Sequence, residues 1–265
     1  LSKSIAAQNI NGWIIIDNPT GITSSAVVNK IKWACSARKA GHAGTLDPSA
    51  TGILAIALGE ATKTIPYVTE QTKSYTFEVK WGEATDSDDS DGKIIHTSQM
   101  RPSEQDIIAI LPRFRGEIKQ TPPFFSAVKI NGRRAYELAR SGEDFDIASR
   151  SLFVSSLKLE KYISENSAIL SLECGKGGYV RSIARDLGLE LGCYGHVKWL
   201  RRIASGSFNL SMAHSLDTIL KLNKTSAVNN FILPVELGLS TIKHGTCTST
   251  AAEKIKNGNS APILC

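Results

Sequence analysis

A glycine-rich segment around a single carboxylate has the strongest potential for chemistry in this chain. It runs from Gly41 to Gly52 with the sequence Gly-His-Ala-Gly-Thr-Leu-Asp-Pro-Ser-Ala-Thr-Gly. Glycines cost backbone entropy on folding, and a loop that places several of them among polar side chains commonly shapes a site. Asp47 has no second acid beside it and no metal-ligand partner at useful spacing. We therefore expect Asp47 to act directly, as a nucleophile or a base, although Asp-Pro is also common in ordinary turns.

Three further side chains are candidates for the same site. Arg181 lies in a glycine-rich stretch, residues 175–182, that lacks the endings of a P-loop and of a dinucleotide motif. Its guanidinium either pairs with a carboxylate, which would hold that group ionised and aimed, or lies on the surface. Tyr75 either fills the core or stacks on a planar base. His42 is a candidate base, a stacking wedge or a hydrogen-bond partner within the loop.

The charge balance favours a polyanionic partner. The chain has 265 residues, a formal net charge of +6 and a pI near 9.0, and 42% of its residues are hydrophobic. This length accommodates one large domain or two ordinary ones, with ample apolar content for a globular core. The basic side chains lie in three distant segments, which suits a groove along a phosphate backbone as well as solvated helix faces. These segments contain Lys30, Lys32, Arg38 and Lys39, then Arg133 and Arg134, then Lys198, Arg201 and Arg202.

Several classes of protein are disfavoured. The five cysteines form no Cys-x-x-Cys pair, which argues against a zinc site and favours free thiols in a reducing compartment. The acidic segment 86–91 lacks acids at the first and twelfth positions of an EF-hand loop, so we expect a solvated turn there. Residues 1–9 lack the apolar core of a signal peptide, and no segment approaches about 18 consecutive apolar residues. We expect a cytoplasmic protein that neither binds a metal nor spans a membrane.

Hydrophobic periodicity predicts strands and helices that alternate irregularly, which favours a mixed α/β or α+β class. Residues 119–150 contain Thr-Pro-Pro, an Asn-Gly turn and a short helix over 135–140, and predict an insertion that stands off the core. The predicted strands are 12–17, 53–58, 75–81, 152–163, 168–174 and 197–203. The predicted helices are one capped by Ser24 or Ser25, one that begins at a Ser103–Asp106 capping box, and those over 178–191 and 216–222.

Taken together, these segments resemble the bacterial tRNA pseudouridine-55 synthases of the TruB type over residues 11–239. The most specific element is the segment from Gly41 to Gly52 with Leu-Gly-Glu-Ala-Thr-Lys at 58–63 after it. The resemblance implies the pseudouridine synthase fold, α/β (α+β), with a mixed, mostly antiparallel central sheet flanked by helices and an RNA-binding insertion at 119–150. It also implies a catalytic domain over 1–240 and, over 241–265, the stub of a C-terminal RNA-binding domain of PUA type. Further similar motifs are residues 73–75, 85–92, 125–140, 177–182 and 197–202.

The resemblance implies isomerisation of uridine 55 in the T-arm loop of tRNA to pseudouridine, by base flipping and without a cofactor or a metal. Asp47 is the implied nucleophile, Arg181 its partner, and Tyr75 the residue that stacks on the ring and relays a proton. Attack on the base, attack on the sugar and a glycal route all stay open. The partner implied is tRNA, with a monomeric enzyme and no obligate protein partner. Residues implied to bind the substrate are His42, Gly44, Thr45, Leu46, Tyr179, Leu200, Lys129, Arg133, Arg134, Lys198 and Arg202, of which the last five contact phosphates.

One departure from the family pattern leaves alternatives open. Asn18 stands where the family usually has lysine, which removes a positive charge near the site. An alternative function is therefore a tRNA-binding folding factor whose catalysis is dispensable or lost, although Asp47, Tyr75 and Arg181 are all present. A third possibility, a guide-RNA-dependent synthase, would need partner-binding extensions that the sequence does not contain.

Overall fold

The computed structural model describes residues 10–223 and 225–264. Its strands are β1 Gly12–Asn18, β2 Ala40–His42, β3 Thr51–Leu58, β4 Lys73–Trp81, β5 Glu83–Thr85, β6 Ile94–Thr97, β7 Gly116–Gln120, β8 Lys129–Ile130, β9 Arg133–Arg134, β10 Arg150–Ser164, β11 Ser167–Cys174, β12 Gly195–Ser205, β13 Phe208–Asn209 and β14 His214–Ser215. Its α-helices are α1 Ser24–Ala34, α2 Ile65–Glu70, α3 Glu104–Ile110, α4 Ala135–Arg140, α5 Val180–Glu190, α6 Leu216–Lys221 and α7 Ser249–Lys256. No described helix is long and apolar enough to cross a membrane.

Most of the strands join one mixed sheet. Its order is β14-β1-β3-β12-β4-β11-β10-β7, with β2 added to β3 and β13 added to β12. The β1–β14 and β3–β12 pairs are parallel, and the other pairs of this sheet are antiparallel. The predicted class, a mostly antiparallel mixed sheet flanked by helices, is confirmed.

Apolar side chains cover the two faces of this sheet unequally. On one face, alternate residues of β4 from Tyr75 to Trp81 pack in a large core with apolar residues of α1 and α5. On the other face, a smaller core contains Trp13 and Phe208, whose ring centroids lie 5.1 Å apart. Glu78 and Lys80 of β4 lie outside both cores, so this second face has a polar region beside the smaller core.

The predicted elements are confirmed, with one correction at the start of α1. Thr23 is the N-cap, because its Oγ1 accepts the backbone N–H of Ala26. The prediction that Ser24 or Ser25 caps this helix was therefore wrong. Ser24 lies in the first turn on the buried side, where its hydroxyl bonds to another segment. The Ser103–Asp106 capping box of α3 is present as predicted.

The insertion forms a small unit beside the sheet. Its hairpin β8–β9 turns at Asn131 and Gly132, which have positive φ angles of 49° and 86°, and α4 follows directly. This pair of left-handed residues is the signature of the tight hairpin turn that Asn-Gly favours. At the ends of the predicted range, residues 119 and 120 belong to β7 and residue 150 to β10.

The chain after Leu239 contains α7 and a bridge between Thr246 and Leu264. Its assignment to a truncated PUA-type domain stays a prediction, as does the boundary at residue 240. The predicted absence of a signal peptide concerns residues 1–9, which lie outside the described residues, as does Cys265. The other four cysteines are free thiols, three of them buried.

The pairing of β3 with β12 depends on a glycine. Gly52 faces Arg202 across these parallel strands and has a φ of +98°. A Cβ at this position would lie 2.2 Å from the carbonyl oxygen of Arg202 and 2.8 Å from its amide nitrogen. Two backbones therefore approach here more closely than any side chain permits, directly after the loop that contains Asp47.

We predict that Gly52→Ala destabilises the protein by about 3 kcal/mol, because it adds a backbone clash to the strain of positive φ. The matched control is Gly21→Ala, at φ +84° with open space around the new methyl group, which should cost about 1 kcal/mol. Chemical denaturation of both variants measures the difference. Equal losses of unfolding free energy would contradict the close approach.

Candidate active site

The loop that carries Asp47 joins β2 to β3 and is anchored at several points. The Ser24 hydroxyl accepts the N–H of Leu46 at 2.9 Å and donates to the carbonyl of the same residue at 3.1 Å. The N–H of Gly21 donates to the Pro48 carbonyl at 2.7 Å. These bonds fix the backbone on both sides of Asp47, so its carboxylate has a defined position.

Asp47 and Arg181 form an ion pair. The Nη2 of Arg181 donates to Oδ1 of Asp47 at 3.1 Å, and its Nε lies 2.8 Å from Oδ2 without hydrogen-bond geometry. The arginine side chain is 5% exposed, whereas the aspartate side chain is 35% exposed. The guanidinium is thus a buried, fixed partner, and the carboxylate is open to a ligand. The sequence places the two residues 134 positions apart, and the structure brings them together.

Other groups fix the orientation of the guanidinium. Its Nη1 donates to the carbonyl of Ser87 at 2.9 Å, and its Nη2 donates to the carbonyl of Phe125 at 3.1 Å. The carboxylate of Asp89 lies 3.7 Å from Nη1. The acidic turn and the base of the insertion therefore both contact the partner of Asp47.

The acidic segment is not the solvated turn that we expected. Ser87, Asp88 and Asp89 are buried, and Asp88 pairs with Arg185 of α5 at 2.9 Å. Burial raises the pKa of Asp88 to about 6 and also raises the pKa of Asp89. The prediction was wrong because the acidic residues find arginine partners on α5, which sequence spacing does not show.

Arg202 is a structural residue, and the prediction that it contacts a phosphate was wrong. The residue is 1% exposed. Its three donor nitrogens reach backbone carbonyls of Ile53 at 2.8 Å, Thr45 at 3.2 Å and Gly44 at 3.0 Å. Since these carbonyls belong to the Asp47 loop and the following strand, Arg202 holds that loop from beneath.

A small cavity opens beside Asp47 at the point where β3 and β12 separate. Leu200 borders it, while Tyr75 is buried on the neighbouring strand β4. Burial raises the pKa of Tyr75, so its phenol is neutral at physiological pH. The cavity is lined by Asp47, Ser49, Asp89, Ser90, Asp91, Arg181, Val197, Lys198, Trp199 and Leu200.

His42 and Tyr179 occupy the flanks of the site. His42 ends β2 and is partly buried, and burial followed by the charge of Arg202 lowers the pKa of its imidazole. Tyr179 precedes α5. Its backbone N–H donates to Oε1 of Gln120 at 2.8 Å, and Nε2 of Gln120 donates to its carbonyl at 3.1 Å. Burial raises the pKa of the Tyr179 phenol. The imidazole and the phenol are therefore both uncharged groups at neutral pH.

The predicted phosphate contacts other than Arg202 are exposed to different degrees. Lys129, Arg133 and Arg134 lie on the insertion hairpin and are accessible, although Arg133 pairs with Glu143 at 2.9 Å. Lys198 pairs with the buried Glu78 at 2.9 Å and is about half exposed. Of these four side chains, Lys198 lines the cavity beside Asp47.

Asn18, the residue that departs from the family pattern, is buried under the same loop. Its Nδ2 donates to the carbonyls of Pro19 at 3.0 Å and Ala50 at 3.4 Å. It supports the segment just after Asp47 without a positive charge.

Sequence reasoning did not find the anchoring residues Ser24 and Asp89, nor the backbone acceptors at Ser87 and Phe125. Ser24 lies at the start of a predicted helix and was therefore predicted, with Ser25 as the alternative, to be its N-cap. A carbonyl acceptor leaves no signal in residue types. The acidic segment 86–91 drew attention to Asp89, but its partner Arg181 is distant in sequence.

Two family models cover most of the chain. The N-terminal domain of TruB family pseudouridylate synthases matches residues 32–180, and the C-terminal domain of tRNA pseudouridylate synthase B matches residues 181–240. The tRNA pseudouridine synthase B of Ruegeria pomeroyi is 50% identical over 259 residues, which are 98% of this chain and 86% of that protein. The enzyme of the same name from Dinoroseobacter shibae is 54% identical over 250 residues, which are 94% and 82% of the two chains.

Solved structures show the same fold. A chain of a Cbf5-Nop10-Gar1 complex is 26% identical with a TM-score of 0.72, over 93% of this chain and 67% of that one. A chain of an H/ACA RNP bound to a substrate RNA containing 2′-deoxyuridine is 23% identical with a TM-score of 0.73, over 96% and 69%. With the family models and the relatives of about 50% identity, these findings show that the chain belongs to the TruB family of tRNA pseudouridine synthases.

Proposed function

We propose that this enzyme isomerises uridine 55 in the T-arm loop of tRNA to pseudouridine, with Asp47 as the nucleophile. The observation that carries the proposal is the Asp47–Arg181 pair, in which a buried guanidinium holds a partly exposed carboxylate at a cavity. A lone ionised carboxylate suits covalent attack on carbon, because it adds to an electrophile and leaves again without a metal or a second acid.

The reaction is an isomerisation, and its atoms balance within the substrate. The bond between uracil N1 and ribose C1′ breaks, the base turns, and a bond forms between C5 and C1′. The proton on C5 is lost to solvent and N1 gains one. Asp47 assists by adding to the base or to C1′, or by promoting a glycal, and each route needs the carboxylate ionised.

The target base must leave its stack in the RNA, at a cost of a few kcal/mol. In the proposal, His42 fills the space that the base vacates, and its neutral imidazole suits stacking better than a solvated cation does. Tyr75 and Leu200 enclose the extruded ring. Tyr75 relays the C5 proton: its phenol oxygen takes that proton as its own O–H proton passes on to solvent, so the phenol is neutral before and after the step. Gly44, Thr45, Leu46 and Tyr179 shape the surrounding walls.

The exposed cations of the insertion, Lys129, Arg133 and Arg134, supply the phosphate contacts in this proposal, together with Lys198. Shape and contacts to single-stranded nucleotides then set the choice of RNA. Arg202 has no such role. We further propose that the enzyme acts as a cytoplasmic monomer on free tRNA, without an obligate protein partner.

Asp47→Asn should lower turnover on a T-arm hairpin by about a thousandfold or more while affinity changes less than about threefold, because the amide keeps the shape and loses the nucleophile. Release of tritium from uridine labelled at C5 measures turnover, and filter binding measures affinity. Asp17→Asn is the matched control, since its carboxylate is equally exposed and pairs with Arg201. Turnover retained in Asp47→Asn would refute the nucleophilic role. Tight binding without tritium release by the unmodified enzyme would favour the folding factor.

Arg181→Lys should lower kcat by about a hundredfold with little change in affinity, because an ammonium cannot hold the carboxylate and both backbone acceptors at once. Arg133→Lys serves as the control, since that arginine is exposed and pairs with Glu143. Single-turnover rates and dissociation constants separate the two effects. Weak binding with a normal rate would make Arg181 a phosphate contact instead.

Neutralising the insertion should change the salt dependence of RNA binding. For each of Lys129→Gln, Arg133→Gln and Arg134→Gln, the slope of log affinity against log salt should fall by about 0.7 to 0.9. The control is Arg113→Gln, which removes a similar exposed arginine paired with Glu190. A slope unchanged from the unmodified enzyme in all three variants would place the RNA on another surface.

A further inference from the structure

An exposed tryptophan borders the catalytic cavity. Trp199 of β12 lines the cavity next to Leu200, and 37% of its surface is exposed. By contrast, Trp13 and Trp81 are buried. A large aromatic side chain left open at the rim of a cavity is costly to hydrate and presents a flat surface to a ligand.

A bulge in β12 sets the position of this side chain. The pairing of β12 with β4 shifts register between Val197 and Trp199, so that Lys198 is the extra residue. After the shift, Trp199 faces Glu78 and Leu200 faces Phe77. The bulge thus directs Leu200 towards the core side and Trp199 towards the polar side of the sheet.

A buried carboxylate fixes the indole. The Nε1 of Trp199 donates to Oε2 of Glu78 at 2.6 Å, and the ammonium of Lys198 donates to Oε1 at 2.9 Å. Although burial alone raises the pKa of Glu78, hydrogen bonds from Lys198, Ser167 and Trp199 hold it below its usual value. The carboxylate is therefore charged at neutral pH, and the ring it holds is tethered to the neighbouring strand.

We propose that Trp199 stacks on an unpaired nucleobase next to the target uridine, and that Glu78 is the positioning residue that pre-orients the indole. The proposal rests on the proposed function, because the ligand is a single-stranded part of the same RNA. A base suits the indole itself, because its exposed face is flat and apolar and its Nε1–H is already bonded to the Glu78 carboxylate. A fixed aromatic ring loses little entropy when a base stacks on it.

The test combines protein variants with RNAs that lack single bases. Binding of T-arm hairpins is measured in the Asp47→Asn background, so that the RNA is not converted, with an abasic nucleotide placed in turn at each position flanking the target. Trp199→Ala should weaken binding of the intact hairpin by about 5-fold to 100-fold, and Trp199→Phe by much less. One of the abasic RNAs should bind to the parent protein about as weakly as the intact hairpin binds to Trp199→Ala. The same abasic RNA should bind to Trp199→Ala only slightly more weakly than the intact hairpin does.

Three further measurements separate stacking from a structural role. Trp33→Ala removes another exposed tryptophan, on α1, that does not line this cavity, and should leave the dissociation constant unchanged. Intrinsic tryptophan fluorescence reports stacking while Glu78 stays intact. RNA should quench the emission of the unmodified protein and of Trp33→Phe. It should quench the emission of Trp199→Phe less. Glu78→Gln, checked by its melting temperature, should bind RNA more weakly than the parent, and its binding should depend less on the flanking base.

Three outcomes would overturn the proposal. Binding of Trp199→Ala that equals the parent's removes the stacking role. If removal of the flanking base weakens RNA binding equally in the parent and in Trp199→Ala, the indole does not stack on that base and only covers Glu78. Absence of T-arm binding by every variant, together with no tritium release by the unmodified enzyme, ends the proposed function as well, whereas normal turnover with either of the first two results ends only the role of Trp199.

Discussion

The buried guanidinium of Arg181 is the interaction on which the site depends. A charged side chain that is 5% exposed needs an opposite charge and hydrogen-bond acceptors around it, because an unpaired buried charge is strongly destabilising. Arg181 meets this demand with the Asp47 carboxylate, the Ser87 carbonyl and the Phe125 carbonyl. These three acceptors come from the loop that carries Asp47, the acidic turn and the insertion. One desolvated cation therefore couples three segments that share no secondary structure.

The second constraint is the separation of β3 from β12. The two strands pair at Thr51 and Gly52, opposite Arg201 and Arg202, and the N-terminal half of β12 extends beyond the start of β3. The acidic turn bonds to that half, since the N–H of Val197 donates to the carbonyl of Asp88 at 3.0 Å. A cavity thus lies between strand, loop and turn, at an interior position of a ten-stranded sheet. Without a side chain at Gly52, the junction can close tightly enough to support it.

Local patterns predicted the elements well, and they failed where a residue's partner is distant. Alternation of apolar residues located β4, and the capping box located α3, because both signals lie within a few residues. The fate of Arg202 and of the acidic turn depends on which carbonyls and arginines the fold brings beside them, and no periodicity encodes that. The glycine density around Asp47 drew attention to a loop whose carboxylate pairs with Arg181 and lines a cavity, and its role as the site stays a prediction. The Asp47–Arg181 contact was available only as an expectation from the family resemblance.

The basic residues illustrate why a net charge does not measure affinity for RNA. The guanidinium nitrogens of Arg202 donate to the carbonyls of Ile53, Thr45 and Gly44. Lys73 is likewise buried and donates to carbonyls at the end of α2, and burial lowers its pKa to about 8. Such cations stabilise the backbone that shapes the site, whereas the insertion arginines stay accessible. Only a cation that stays accessible can contact a polyanion, and the buried side chains of Arg202 and Lys73 do not meet that condition.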